Sequence, residues 1–191
     1  MNNSFFALVF RQRYIKRWGL MRNVNDENLA EHSAQVAMIA HSLALIGNKH
    51  FNKNYDTGEI VTAALYHDAT EVYTGDMPTP IKYFTPEMRK NYKSIEDNAV
   101  SALISHLPED MRDDYKQILD YPEEYEIIIK SADKLCAYIK CIEELKCSNQ
   151  EFEKAKISTL ASLRAMNCPE LDYFMENYLP AFELTLDEMQ S

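Results

Sequence analysis

A group of ionisable residues ends an apolar stretch near the middle of the sequence. The segment LYHDATEVYTGDMPTP (65–80) places His67 and Asp68 side by side, Glu71 one turn further on, and Asp76 after a glycine. Burying such groups is costly unless each of them has a partner. We therefore expect that these side chains are either exposed to solvent or in contact with a bound cation and a bound small molecule.

Two further residues of the same chemistry lie on apolar helix faces elsewhere. His32 precedes Val36 by one turn on a predicted apolar stripe, so its side chain faces inward. His67 and Asp68 are separated by about 100° around a helix, and both can point at one spot. Asp133 lies on an apolar face of a later helix. Two imidazoles and two carboxylates suit a divalent metal such as Mn, Fe, Co, Ni or Zn.

Residue types alone leave a structural alternative open for each of these four residues. A buried histidine is often bonded to a backbone carbonyl, and a buried aspartate is often paired with a basic side chain. The structural alternative predicts a carbonyl or a basic side chain beside each residue. The metal site predicts that the four side chains lie beside one another.

Composition favours one helical domain that spans residues 1–191. The chain is 46% hydrophobic and has only four glycines and seven prolines among its 191 residues. Its formal net charge of -10 argues against a nucleic acid polymer as partner, because phosphate contacts need a basic face.

Cysteine usage and apolar runs indicate a soluble cytoplasmic protein without membrane contact. The four cysteines form no CxxC pair, so we expect them to be reduced. The apolar FFALVF segment precedes its basic residues, which is the reverse of a signal peptide, and no apolar run approaches membrane-spanning length.

Hydrophobic spacing is helical almost throughout, which predicts an all-α fold. Asn28 and Glu31 have the spacing of a capping box at a helix start. The segment 47–58 is predicted to be a loop, and MPTP (77–80) a fixed non-helical turn. The predicted helices cover 5–14, 28–45, 58–73, 86–107, 109–119, 122–147, 149–164 and 170–178.

The order His32, then His67-Asp68, then Asp133 resembles the H…HD…D signature of HD-domain metal-dependent phosphohydrolases. Longer segments resemble the bacterial 5′-deoxynucleotidase family across nearly the whole chain: RWGLMRNV, ENLAEHSAQVAMIAH, LYHDATEVYTGDMPTPIKYF, ADKLCAYIKCIEEL and LDYFMENYLPAFELTLDE. The resemblance implies a single-domain HD-type helical bundle that forms a homodimer. It also implies one divalent transition metal ion (Co, Mn, Zn, Ni, Fe or Cu) held by the four residues. The implied reaction is hydrolysis of deoxyribonucleoside 5′-monophosphates to deoxyribonucleosides and phosphate by a metal-activated water.

The resemblance also assigns roles around the metal. Arg17 is expected to orient the phosphate, and Trp18 to pack against the sugar, where its bulk excludes a 2′-hydroxyl. Glu71 and Asp76 are the candidates for positioning water and handling protons, and Arg17 is grouped with them as catalytic. The expected substrate-binding residues are Arg17, Trp18, His32, Asp76, Met77, Pro78, Thr79 and Asp133.

Each role has an ordinary structural alternative, and the substrate has alternatives too. Trp18 could be a packing residue, Glu71 a solvated helix end and Asp76 a turn residue. An HD phosphohydrolase could instead cut a nucleoside triphosphate or a phosphodiester, although the sequence has no basic channel motif for larger substrates. A nucleotide sensor with an inert metal site is disfavoured because Glu71 and Asp76 are both present.

Overall fold

The computed structural model describes residues 3–82 and 84–190, except for the side chains of Thr79 and Pro80. The described residues contain α-helices and no β-sheet, which confirms the all-α prediction. The helices are α1 (Phe5–Val9), α2 (Leu29–His50), α3 (Thr57–Tyr66), α4 (Glu71–Thr74), α5 (Thr79–Lys82), α6 (Pro86–Ser105), α7 (Arg112–Leu119), α8 (Glu123–Lys146), α9 (Glu153–Arg164), α10 (Pro169–Asn177) and α11 (Leu186–Gln190).

The start of α2 is the capping box that the sequence predicts. The Asn28 side chain accepts from the backbone N–H groups of Ala30 and Glu31, while the Glu31 carboxylate accepts from the Asn28 N–H. The end of α2 was predicted too early, because the first residues of the expected loop 47–58 are helical. Gly47 continues the helix beside the Tyr55 ring, where a Cβ would lie 2.7 Å from a ring carbon. This glycine permits a close contact and does not end the helix.

The predicted helix over 58–73 is interrupted at the His67-Asp68 pair. After α3 ends, the Ala69 N–H bonds to the Tyr66 carbonyl at 2.9 Å and the Glu71 N–H to the Asp68 carbonyl at 3.0 Å. These three-residue bonds make a tight turn before α4 begins at Glu71. The pair therefore leaves the regular helix and lies at its C-terminal end.

The prediction that MPTP is wholly non-helical was wrong at its second half. The short helix α5 begins at Thr79, and the Pro78 carbonyl accepts from the N–H groups of Ile81 and Lys82. Pro80 fits because the first turn of a helix leaves its N–H groups unbonded in any case.

Several other predicted helices end or begin in 3₁₀ turns. The first predicted helix changes to a 3₁₀ helix at Phe10–Tyr14, and 3₁₀ turns at Glu109–Met111 and Gln150–Phe152 precede α7 and α9. The remaining predicted boundaries agree within about two residues, the usual uncertainty of a helix end. The 3₁₀ helix Leu179–Glu183 and α11 were not predicted.

The main core lies where α2, α3, α8 and α10 pack together. Its fully buried side chains include Val36, Leu43, Ile60, Leu135 and Leu171. Each such side chain stabilises the fold by roughly 2 kcal/mol through burial. The packing of α2 against both α3 and α8 brings together the predicted ligands on α2, after the end of α3 and on α8.

A smaller core fixes the turn that follows α3. Ala69 is fully buried there with Phe5, Leu103 and Leu107. Because Ala69 follows Asp68 directly, this packing anchors the turn. Within residues 3–82 and 84–190, no helix is both long enough and apolar enough to cross a membrane.

Candidate active site

His32, His67 and Asp68 form a compact group at the ends of α2 and α3. One potential ligand atom from each lies within 4.8 Å of the others. His67 Nε2 is 3.1 Å from Asp68 Oδ2, and His32 Nε2 is 3.8 Å from the same oxygen. The tight turn after α3 makes this arrangement possible.

Asp133 reaches the same group from α8. Its Oδ1 lies 3.0 Å from His32 Nε2, and its side chain is 37% exposed. The structure therefore brings all four predicted ligands together, and Asp133 is on the more open side of the group.

The histidine nitrogens that face the carboxylates fit a cation better than a purely structural role. His67 Nδ1 lies 2.7 Å from the Ala64 carbonyl, which places the ring proton on Nδ1 and leaves a lone pair on Nε2. Both His67 Nε2 and His32 Nε2 are buried and make no hydrogen bond of good geometry to a described residue. A lone pair directed at a carboxylate is unfavourable unless a proton or a metal ion lies between them.

The electrostatics of the group show that it attracts positive charge. Although burial disfavours the charged imidazole, Asp68 raises the pKa of His67 to about 9. Burial also opposes the charge of Asp133, yet His32 and His67 lower the pKa of that carboxyl. The group attracts a proton strongly, and a metal ion that binds to such ligands displaces it.

Arg17 extends over the carboxylates of this group. Its Nη1 lies 3.7 Å from Asp68 Oδ2 and 3.7 Å from Asp76 Oδ1, and its Nη2 lies 4.0 Å from Asp133 Oδ1. The side chain is 12% exposed. Although burial disfavours its charge, Asp133 and Glu27 raise the pKa of Arg17. A planar cation held in this way can bind a phosphate dianion with two N–H groups.

Trp18 adopts a left-handed backbone conformation with φ of 57°. This conformation is unusual for a bulky residue, and it persists only where the surroundings enforce it. The indole Nε1 donates to Glu27 Oε2 at 2.9 Å, and the ring lies 5.2 Å from that of Phe152. Trp18 is half-buried, so packing and a site role are both consistent with its position.

The loop that follows Trp18 is fixed to α8 by one buried carboxylate. Glu144 accepts from the N–H groups of Val24 at 2.9 Å and Asn25 at 3.0 Å. Its side chain also pairs with Lys140 and accepts from Asn149. Loop 19–26 is thereby held against α8 and not left free at the surface.

Glu71 and Asp76 both lie close enough to the ligand group to interact with it electrostatically. Burial, together with Asp68 and Asp76, raises the pKa of Glu71 to about 9. Its Oε2 is buried without a hydrogen bond to a described residue. Burial raises the pKa of Asp76, and Arg17 opposes that rise. Neither carboxyl is an ordinary solvated group.

The remaining predicted substrate-binding residues are less defined. Met77 and Pro78 are half-buried and follow Asp76 along the chain, and their role stays a prediction. The Thr79 side chain lies outside the described part of the chain. The additional substrate contacts expected of His32 and Asp133 also stay predictions.

Sequence reasoning missed Glu27, which touches three of the predicted site residues. Its carboxylate contacts His32, Arg17 and Trp18. Burial opposes its charge, but His32 and Arg17 lower the pKa of Glu27. It lies in the polar segment NVNDEN, where neither spacing nor periodicity separates it from Asp26.

Solved structures share this fold. An HD-domain phosphohydrolase from Listeria innocua matches with a TM-score of 0.81 and 22% identity, over 98% of this chain and 92% of that chain. A cyanophage S-2L HD phosphohydrolase, solved bound to dA and one catalytic Zn²⁺ ion, matches with a TM-score of 0.67 and 19% identity, over 94% of this chain and 96% of that chain. The fold is therefore that of the HD-domain phosphohydrolases.

Sequence comparison identifies the family within that class. The family model described as 5′-deoxynucleotidase YfbR-like matches residues 4–182. Two relatives named 5′-deoxynucleotidase, from Yersinia pestis strain Pestoides F and Yersinia pseudotuberculosis strain YPIII, are each 49% identical over 98% of this chain and 96% of their own length. The chain belongs to the 5′-deoxynucleotidase family, and the predicted enzyme class is confirmed.

Proposed function

We propose that this chain binds one divalent transition metal ion and hydrolyses deoxyribonucleoside 5′-monophosphates to deoxyribonucleosides and phosphate. The observation that carries the proposal is the pair of buried Nε2 atoms, His32 and His67, beside the carboxylates of Asp68 and Asp133. Family membership supports the reaction, and the Zn²⁺ and dA in the cyanophage structure support the metal and the ligand class.

The metal ligands proposed are His32, His67, Asp68 and Asp133. A divalent ion bound by these residues would lower the pKa of a water molecule and polarise a phosphoryl oxygen. The nucleophile is then available at neutral pH without a covalent intermediate on the protein.

Arg17 binds the phosphate of the substrate in this proposal. Its contacts with Asp68 and Asp76, at 3.7 Å, are longer than hydrogen bonds, so phosphate oxygens can form closer ones. Because Nη1 and Nη2 both face the ligand group, a bound phosphate is held beside the metal ligands.

Glu71 and Asp76 handle the protons of the reaction. The water oxygen bonds to phosphorus as the bond from phosphorus to O5′ breaks. One carboxyl accepts the proton of the attacking water, and the other donates a proton to O5′. Burial raises the pKa of Glu71 to about 9, which suits the donor, and the pKa of Asp76 is raised as well.

The sugar pocket has two proposed walls. Trp18 lies on one side, where its indole excludes a 2′-hydroxyl by bulk. The segment Asp76, Met77, Pro78 and Thr79 forms the other side. Selection for deoxyribose is therefore assigned to shape and not to a hydrogen bond.

We further propose that the chain is one domain over residues 1–191, acts in the cytoplasm as a homodimer, and binds neither membranes nor nucleic acid polymers. The homodimer follows from the resemblance described above. The cytoplasmic location is supported by the four free cysteines.

The deciding experiment measures phosphate release from matched substrates after removal of bound metal and addition of Co²⁺, Mn²⁺, Zn²⁺, Ni²⁺, Fe²⁺ or Cu²⁺ in turn. The substrates are deoxyribonucleoside monophosphates, ribonucleoside monophosphates, a deoxyribonucleoside triphosphate and a phosphodiester. Metal-dependent hydrolysis restricted to the deoxyribonucleoside monophosphates is expected. Preference for the triphosphate or diester would assign another substrate, and binding without hydrolysis would favour a sensor.

A further inference from the structure

We propose that Glu27 is a positioning residue that holds the metal ligand His32, the phosphate-binding Arg17 and the sugar-facing Trp18 in one arrangement. The inference rests on the proposed function, because it takes the roles of those three residues from it. Glu27 contacts these three residues and is itself proposed neither as a metal ligand nor as a substrate contact.

The carboxylate of Glu27 divides its two oxygens among three partners. Oε1 lies 3.1 Å from His32 Nδ1 and 3.3 Å from Arg17 Nε. Oε2 accepts a hydrogen bond from Trp18 Nε1 at 2.9 Å. The side chain is 10% exposed, so little water competes for these contacts.

The backbone fixes Glu27 opposite its partners. The Arg17 N–H donates to the Glu27 carbonyl at 3.0 Å, and the Leu29 N–H donates to the Ile15 carbonyl at 2.9 Å. Together with the antiparallel bridge between Lys16 and Asn28, these bonds pair segment 15–17 with segment 27–29. The main chain of Glu27 is therefore held beside Arg17, and its carboxylate reaches its three partners from that position.

Each contact of Glu27 leaves free the atoms of His32 and Arg17 that are proposed to bind the metal or the phosphate. A carboxylate beside Nδ1 keeps the proton of His32 on that nitrogen, so Nε2 retains its lone pair for a metal. The approaches to His32 Nδ1 and Arg17 Nε are close ionic contacts, and neither has the geometry of a good hydrogen bond. A carboxylate at Arg17 Nε leaves Nη1 and Nη2 for a phosphate. The bond to Trp18 Nε1 fixes the face that the indole presents.

A single change at Glu27 should consequently disturb metal affinity and the indole together. In Glu27→Gln the side chain keeps its size but loses the charge that favours the Nδ1 proton. We expect affinity for Co²⁺, followed by its visible absorption in metal-free protein, to fall about tenfold or more. The fluorescence of Trp18, the only tryptophan in the chain, should change its emission maximum in the same variant.

The matched control is Asp26→Asn, which removes the same charge from the preceding residue. Asp26 is 68% exposed and pairs with Lys16 at the surface. This control should retain the Co²⁺ affinity and the emission maximum of the wild type. Glu27→Asp, which keeps the charge on a shorter side chain, should recover part of the Co²⁺ affinity that Glu27→Gln loses.

Thermal unfolding followed by circular dichroism separates positioning from general stability. If Glu27→Gln lowers only the unfolding temperature and keeps wild-type Co²⁺ affinity and emission, the positioning role is wrong. If Glu27→Gln does not fold, Glu27→Asp is compared with the wild type instead. Wild-type Co²⁺ affinity together with a wild-type emission maximum in Glu27→Asp would overturn the proposal. A wild type that binds Co²⁺ but hydrolyses no nucleotide would refute the proposed function alone. Failure of the wild type to bind Co²⁺ would overturn both.

Discussion

Arg17 Nη1 lies 3.7 Å from Asp68 Oδ2, so the side chain assigned to phosphate touches a side chain assigned to metal. The two binding functions are therefore adjacent in space, although the residues are far apart in the sequence. In the proposed mechanism, a phosphate bound by Arg17 would lie beside the metal ligands and within reach of an activated water.

Removal of a metal ligand should abolish activity without unfolding the protein. Asp133→Ala and His67→Ala each remove one of the four proposed ligands, so the ion should bind more weakly and lose its fixed position. Metal content should fall while the helical circular dichroism signal is retained. The control is His41→Ala, which removes an exposed imidazole from α2. Full activity in either ligand variant would contradict the proposed metal site.

Loss of Glu71 should slow the chemical step without lowering the metal content of the protein. Glu71 lies beside the ligands but is not proposed as one of them, so Glu71→Ala should keep its metal content. The proton-transfer contribution should be lost, lowering kcat by about a hundredfold or more. Metal analysis and steady-state kinetics on the same preparation test this, and a parallel loss of metal would show that Glu71 is a ligand.

Loss of Arg17 should weaken all 5′-monophosphates alike. The phosphate is common to every substrate, and Arg17→Ala removes its proposed charge partner. We expect kcat/KM to fall by a similar factor for dAMP and AMP. A change in the ratio of the two substrates would mean that Arg17 also senses the sugar.

Trp18→Ala should change selectivity instead. If the indole excludes the 2′-hydroxyl by bulk, its removal should raise kcat/KM for AMP relative to dAMP. The ratio of the two kcat/KM values in the wild type and in the variant measures the effect. An unchanged ratio would make Trp18 a packing residue beside Phe152 and Glu27.

The buried pair of Glu144 and Lys140 should make stability depend on acid pH. Burial opposes the charge of Glu144, but hydrogen bonds from Lys140, Asn149 and loop N–H groups lower the pKa of Glu144 to about 2. Because this pKa lies below the ordinary value of 4.5, the stabilisation is fully present above about pH 4.5. It should be lost as the pH falls through about 2.

Urea unfolding of Glu144→Gln tests this interaction. The variant should lose roughly 3 kcal/mol of unfolding free energy at neutral pH, since Lys140 keeps its charge with a weaker partner. The difference from the wild type should narrow below pH 4.5, the ordinary carboxyl pKa. The matched control is Glu143→Gln on the exposed side of the same helix, for which little change is expected at any pH.

The sequence alone determined the helical class, the capped start of α2 and the residues that could bind a metal. Helical spacing is a local property, so the inward faces of His32 and Asp133 could be read from neighbouring apolar residues. The order of His32, His67-Asp68 and Asp133 added the family resemblance, which the comparisons confirm.

The tertiary structure decided where the helices break and which residues support the site. The turn after α3 forms because Ala69 packs into the smaller core, a long-range contact that the local pattern of 58–73 does not contain. Gly47 likewise lies inside a helix, and the Tyr55 ring packs where a side chain at this position would be. Glu27 acquires its three partners only when segment 15–17 pairs with segment 27–29 and α2 places His32 beside them. Glu27 lies in a polar loop without helical periodicity, so the sequence does not predict which residues surround it. Only the tertiary structure shows them.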